Sequence, residues 1–139
     1  MSIGAELQRA IYEALKAPLS TAGFGLYDEV PELPVGKPDN DFPYVQIGDF
    51  TFSPFDNDDT VGHEIDVLFH VWSRYRGKKE LHQGYELIFE ALNRQTFELA
   101  SAWHIDTLPS GGFSAQREGD NNSTLHGFGR FTFTVQRKT

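Results

Sequence analysis

His63 and Glu64 stand side by side, as at the start of the H-E-x-x-H signature, in which two helical histidines hold zinc and the glutamate acts as base. The second histidine of that signature would fall at Val67. Residues 63–74 also alternate as a strand, so the required i, i+4 geometry is absent. The other histidines, His70, His82, His104 and His126, share no ligand spacing. Each reads as a surface or satisfied core histidine. Asp56-Asn57-Asp58-Asp59-Thr60 begins like a calcium loop. An EF-hand then needs glycine and glutamate where this chain has Val61 and Val67, so a turn with side-chain-to-backbone bonds is the better reading. Gly23-Phe24-Gly25 lacks the third glycine and the preceding strand of a dinucleotide fingerprint. There is no G-x-S-x-G, no P-loop and no cysteine. These patterns yield no catalytic, cofactor-binding or metal-binding residue. No cofactor is expected, and the chain is not expected to be an enzyme.

The charges say more. The net charge is −8, which argues against general nucleic-acid binding. From Asp28 to Asp66 there are 11 acids and one base, Lys37, while the remaining residues hold 9 acids and 11 bases. An acidic segment is therefore set on a nearly neutral body. Arg74, Arg76, Lys78 and Lys79 cluster where a strand gives way to a helix, and cations there oppose the helix macrodipole. One reading is that Glu80 and solvent absorb the charge. The other is that the acidic segment of a neighbouring copy pairs with it. Arg74, Arg76, Lys78, Lys79, Asp56, Asp58, Asp59 and Trp72 are the interface candidates.

These residues need elements to hold them. Ile3, Leu7, Ala10, Ile11, Ala14 and Leu15 recur at helical spacing, with Ser2 as a possible cap and Pro18 as the expected end. A short strand at residues 25–29 should follow. Residues 31–43 carry four prolines and read as a loop. Tyr44 to Phe52 alternates as a strand, and the polar run 53–62 reads as a second mobile loop. In the strand His63–Arg74, Ile65, Val67, Phe69 and Val71 face the core. Its other face runs Glu64, Asp66, Leu68, His70, Trp72. That face starts acidic and ends apolar, so its far end should be covered, for instance by another subunit. Leu81, Tyr85, Ile88, Phe89 and Leu92 form the stripe of a second helix over about 78–94. Strands are expected near 97–108, 113–118 and 125–136, the last two joined as a hairpin by residues 119–123. The expectation is one α+β domain, 1–139. It has a mostly antiparallel sheet with two helices on one face, in the order α-β-β-β-α-β-β-β. The chain starts without a signal-peptide profile, and no apolar run approaches the ~20 residues of a membrane span. A soluble, cytoplasmic protein with no membrane partner is expected.

The ordered segments also form a pattern. Pro43-Tyr44-Val45-Gln46-Ile47-Gly48 precedes the acidic run, and His70-Val71-Trp72-Ser73-Arg74 ends the central strand. Gly77-Lys78-Lys79-Glu80 opens the second helix, which ends Ala91-Leu92, and His126-Gly127-Phe128-Gly129-Arg130-Phe131 lies in the last strand. This combination resembles the tail completion, or tail terminator, family of long-tailed bacteriophages, prophages and gene transfer agents. The resemblance implies a virion protein of the tail or neck. In that role it forms a homo-oligomeric ring, a hexamer, which caps the tail tube and joins the tail to the head. It implies three partners: further copies of itself, the tail tube protein and a head–tail connector or stopper protein. DNA would pass through the lumen without specific binding. Two other readings stay open, a head-side neck adaptor or stopper and a small monomeric enzyme or ligand-binding domain.

Overall fold

A computed structural model of the chain describes residues 3–28, 42–57, 60–99, 103–119 and 122–137. The elements run α1 (Ile3–Thr21), β1 (Gly25–Tyr27), β2 (Tyr44–Asn57), β3 (Thr60–Ser73), α2 (Lys79–Leu92), β4 (Thr96–Glu98), β5 (Trp103–Glu118) and β6 (Thr124–Arg137). This is the expected α-β-β-β-α-β-β-β order. The strands form one sheet, β1-β2-β3-β6-β5-β4, antiparallel throughout except for the pairing of β1 with β2.

Alternation decides which face is core. Ile65, Val67, Phe69 and Val71 on β3 and Phe131, Phe133 and Val135 on β6 are all buried, and they pack with Val45, Ile47 and Ile105. The buried stripes of both helices complete that cluster: Leu7, Ile11, Leu15 and Leu19 from α1, and Leu81, Ile88 and Leu92 from α2. Fully burying side chains of this size stabilises by roughly 1.5–3 kcal/mol each. Both helices thus lie on one face of the sheet.

Three boundaries differ from the sequence reading. Pro18 does not end α1, which continues to Thr21. Leu19 lies four residues after Leu15 on the same buried stripe, so its burial offsets the one helical hydrogen bond that proline removes. Of the run 53–62, residues 53–57 and 60–62 are strand and not loop. They form the ends of β2 and β3, paired from Ser53↔Glu64 to Asn57↔Thr60. Pro54 fits there because, among the described residues, β2 has no outer neighbour beyond its three residues paired with β1. The expected strands 97–108 and 113–118 are divided differently. Short β4 stands alone, and β5 runs from Trp103 through the Pro109-Ser110-Gly111-Gly112 stretch as a bulge, with both parts paired to β6. The expected hairpin turn joins β5 to β6, with Gly119 at φ 83° and Asn122 at φ 53°. The cap at Ser2 and the loop 31–41 lie outside the described residues.

Candidate assembly interface

The basic turn follows directly from the end of β3. Ser73 is buried there, and its hydroxyl donates to Glu80 at 2.7 Å while accepting from the Tyr75 backbone N–H at 3.1 Å. Those bonds fix the reversal from strand to helix. They also hold Glu80 in the first turn of α2, where a carboxylate suits the helix dipole. Lys78 occupies the N-cap without a side-chain cap bond. Arg74 turns onto the sheet, with its guanidinium 4.4 Å above the centre of the Phe42 ring and its Nε donating to Thr124 Oγ1 at 3.2 Å. Arg76, Lys78 and Lys79 are exposed.

Trp72 sits next to Arg74 on the face away from the helices. His126 stacks on it with ring centres 3.8 Å apart and planes 6° apart, and Tyr44 stacks at 6.1 Å. The apolar end of this face is thus partly covered by its own aromatic neighbours. The indole N–H of Trp72 is buried without a hydrogen-bond partner among the described residues.

Beside Trp72 runs a chain of titratable groups that the sequence reading missed. Glu118 accepts a hydrogen bond from His126 Nδ1. Neutral His126 then presents Nε2 as acceptor, and His70 Nδ1 donates to it at 2.6 Å. Burial pushes His70 below its ordinary value of 6.5, and the neighbouring His126 adds to this, against the raising pull of Asp49 and Glu118. Spacing along the chain could not reveal these contacts. They follow from register, which sets Trp72 opposite His126 and His70 opposite Phe128. No cluster of His, Cys, Asp and Glu among the described residues could hold a metal ion.

The same face holds an open groove of about 540 Å³, where the β5 bulge parts from β6. Leu68, His70, Phe128 and Arg130 line it together with Ser110, Gly111 and Gly112. The acidic candidates lie elsewhere. Asp56 is near the end of β2, remote along β3 from the basic turn, while Asp58 and Asp59 lie outside the described residues. The fold therefore gathers Trp72, Arg74 and the other cations at one end of β3 and sets Asp56 at the opposite end.

Comparison with known proteins follows this geometry. A family model described as tail completion protein gp17 matches residues 9–136. A chain of the virion of a native gene transfer agent particle superposes with a TM-score of 0.79 at 19% identity, covering 97% of this chain and 98% of that one. At that identity the likeness speaks for the fold. The gp17 protein of bacteriophage SPP1 superposes with a TM-score of 0.58 at 25% identity, covering 97% and 92%. No curated protein matches in sequence.

Proposed function

Because the chain belongs to the tail completion protein gp17 family, a family of structural phage tail proteins and not of enzymes, we propose that it closes the tail tube as a ring and joins the tail to the head. The observation that carries this is the family match across residues 9–136, which runs from within α1 through every later element to Gln136 in β6. The fold likeness to a chain of a gene transfer agent virion supports it.

A ring requires a heterologous contact, in which one patch meets a different patch on the next subunit. The segregated charges suit such a contact. Arg74, Arg76, Lys78 and Lys79 of one copy meet the acidic segment of its neighbour, whose candidates are Asp56, Asp58 and Asp59. The hexamer is the ring size that the family resemblance implies. The tail tube protein and a head–tail connector or stopper are the axial partners, and DNA crosses the lumen without specific binding, consistent with the net charge of −8.

Polymerising the tail tube protein with and without this chain tests the reading. Added chain should stop elongation, leaving short tubes with a terminal annulus in electron micrographs. Tubes of unchanged length with bare ends would contradict it.

A further inference from the structure

His70 is half-buried on the sheet face away from the helices, and the assembly contact gives it no task. Charged and titratable groups from three strands face it. β6 supplies His126, whose Nε2 lies 2.6 Å from His70 Nδ1. β5 supplies Glu118, which accepts from His126 Nδ1. β2 supplies Asp49, whose carboxylate favours a charged His70. Arg130 of β6 lines the same groove as His70. The remaining ring nitrogen of His70, Nε2, packs against β2, where a Cβ added at Gly48 would stand 2.8 Å from it. Trp72 lies flat on His126, with ring centres 3.8 Å apart.

Each contact in this chain holds one hydrogen between two heavy atoms. With both rings neutral, Glu118 keeps a hydrogen on His126 Nδ1, so His126 Nε2 is bare and the hydrogen between the rings belongs to His70 Nδ1. His70 Nε2 is then bare as well. A first proton adds there. The hydrogen between the rings passes to His126 Nε2, and His70 accepts it through Nδ1. The rings still share one hydrogen. The positive charge rests on His126, between the Glu118 carboxylate and the indole face of Trp72. A second proton has no such place. The one vacant nitrogen left is His70 Nδ1, the atom that accepts from His126. Filling it sets two N–H groups and two positive charges against each other across 2.6 Å.

We propose that His70, His126 and Glu118 form a proton-operated latch: the bond between the two rings survives one proton and breaks on the second, when the His70 ring swings out of the stack toward Asp49. The core is not disturbed, because Phe69 and Val71 on either side of His70 point to the opposite face and are buried there. Burial, and then the neighbouring His126, hold His70 below its ordinary value of 6.5, so the latch is closed at neutral pH and opens in acid. His70 lines the groove at the β5 bulge, and its departure from His126 reshapes that groove. The latch does not depend on the ring reading above.

Imidazole nitrogen and proton NMR of the full chain during an acid titration tests it. Above neutrality His70 should carry its hydrogen on Nδ1, the less common tautomer of a free imidazole. After the first proton that hydrogen should sit on Nε2. After the second, below pH 6.5, both nitrogens should be protonated, and NOEs between His70 and His126 should vanish while those between Phe69 and Phe131 persist. His126→Gln should make His70 titrate in one step, at higher pH than in wild type, because a positive neighbour is gone. Glu118→Gln keeps an acceptor for His126 but removes the charge, and should move the first step of the pair to lower pH. A His70 on the Nε2 tautomer throughout, two rings titrating independently, or His70–His126 NOEs that outlast the second proton would overturn the latch. So would a His70 titration unmoved by His126→Gln. The wild-type spectra alone decide the matter if either variant fails to fold.

Discussion

Gly127 lies on the core face of β6, beneath the ring of Phe113. A Cβ there would stand 2.4 Å from Phe113 Cζ and 2.8 Å from Leu81 Cδ1. Phe113 is wedged in turn against Tyr85, with ring centres 4.5 Å apart. A glycine in a strand that looks like a weakness is therefore the space into which an aromatic packs. Gly127→Ala should destabilise by about 1–3 kcal/mol in urea unfolding, and Phe113→Leu in the same chain should recover part of the loss. His70 gives a second test. Its folded value lies below 6.5, so below that pH the unfolded chain binds more protons than the folded one. The contribution is complete above 6.5 and is lost as pH falls through the lower folded value. The groups that face His70 are His126, Asp49 and Glu118. Stability of the wild type should drop with acidification below 6.5, and His70→Gln should flatten that slope. Equal slopes in the two proteins would remove His70 from the account.

The elements differ in how plainly their residues announced them. β3 was legible because one face is fully buried, so Ile65, Val67, Phe69 and Val71 had to alternate with polar positions. α2 was legible for the same reason at helical period. The far end of the β2–β3 pair was not. It runs on beyond the pairing of β3 with β6, and its composition is that of a loop. The β5 bulge was also hidden, because Pro109-Ser110-Gly111-Gly112 carries turn residues yet stays within one strand. Of the interface candidates, the basic turn could be read as charge at a helix start. The His70–His126–Glu118 chain could not, because it depends on the register of three strands. The turn itself gives a prediction with two opposed outcomes. Lys78→Asp supplies the missing cap and a favourable charge at the helix N-terminus, and should raise stability by about 0.5–1 kcal/mol. The same change removes one cation from the proposed contact and should weaken self-association. A gain in midpoint with undiminished association would place Lys78 outside the interface.

At the scale of the whole molecule, the chain separates tasks by face and by end. The helices and one sheet face form the core, and among the described residues no element covers the opposite face. Cations gather at one end of β3, and Asp56 lies at its other end, paired with Val61. A domain built for catalysis concentrates its reactive groups in a cleft. Here the charged interface candidates are spread toward opposite ends, as suits a subunit that joins others in a row. The most direct test is to locate the chain in intact particles by gold labelling and electron microscopy. The account predicts label at a single position, the junction of tail and head, on one annular density. Label along the length of the tube, on the capsid alone, or absent from purified particles would contradict it.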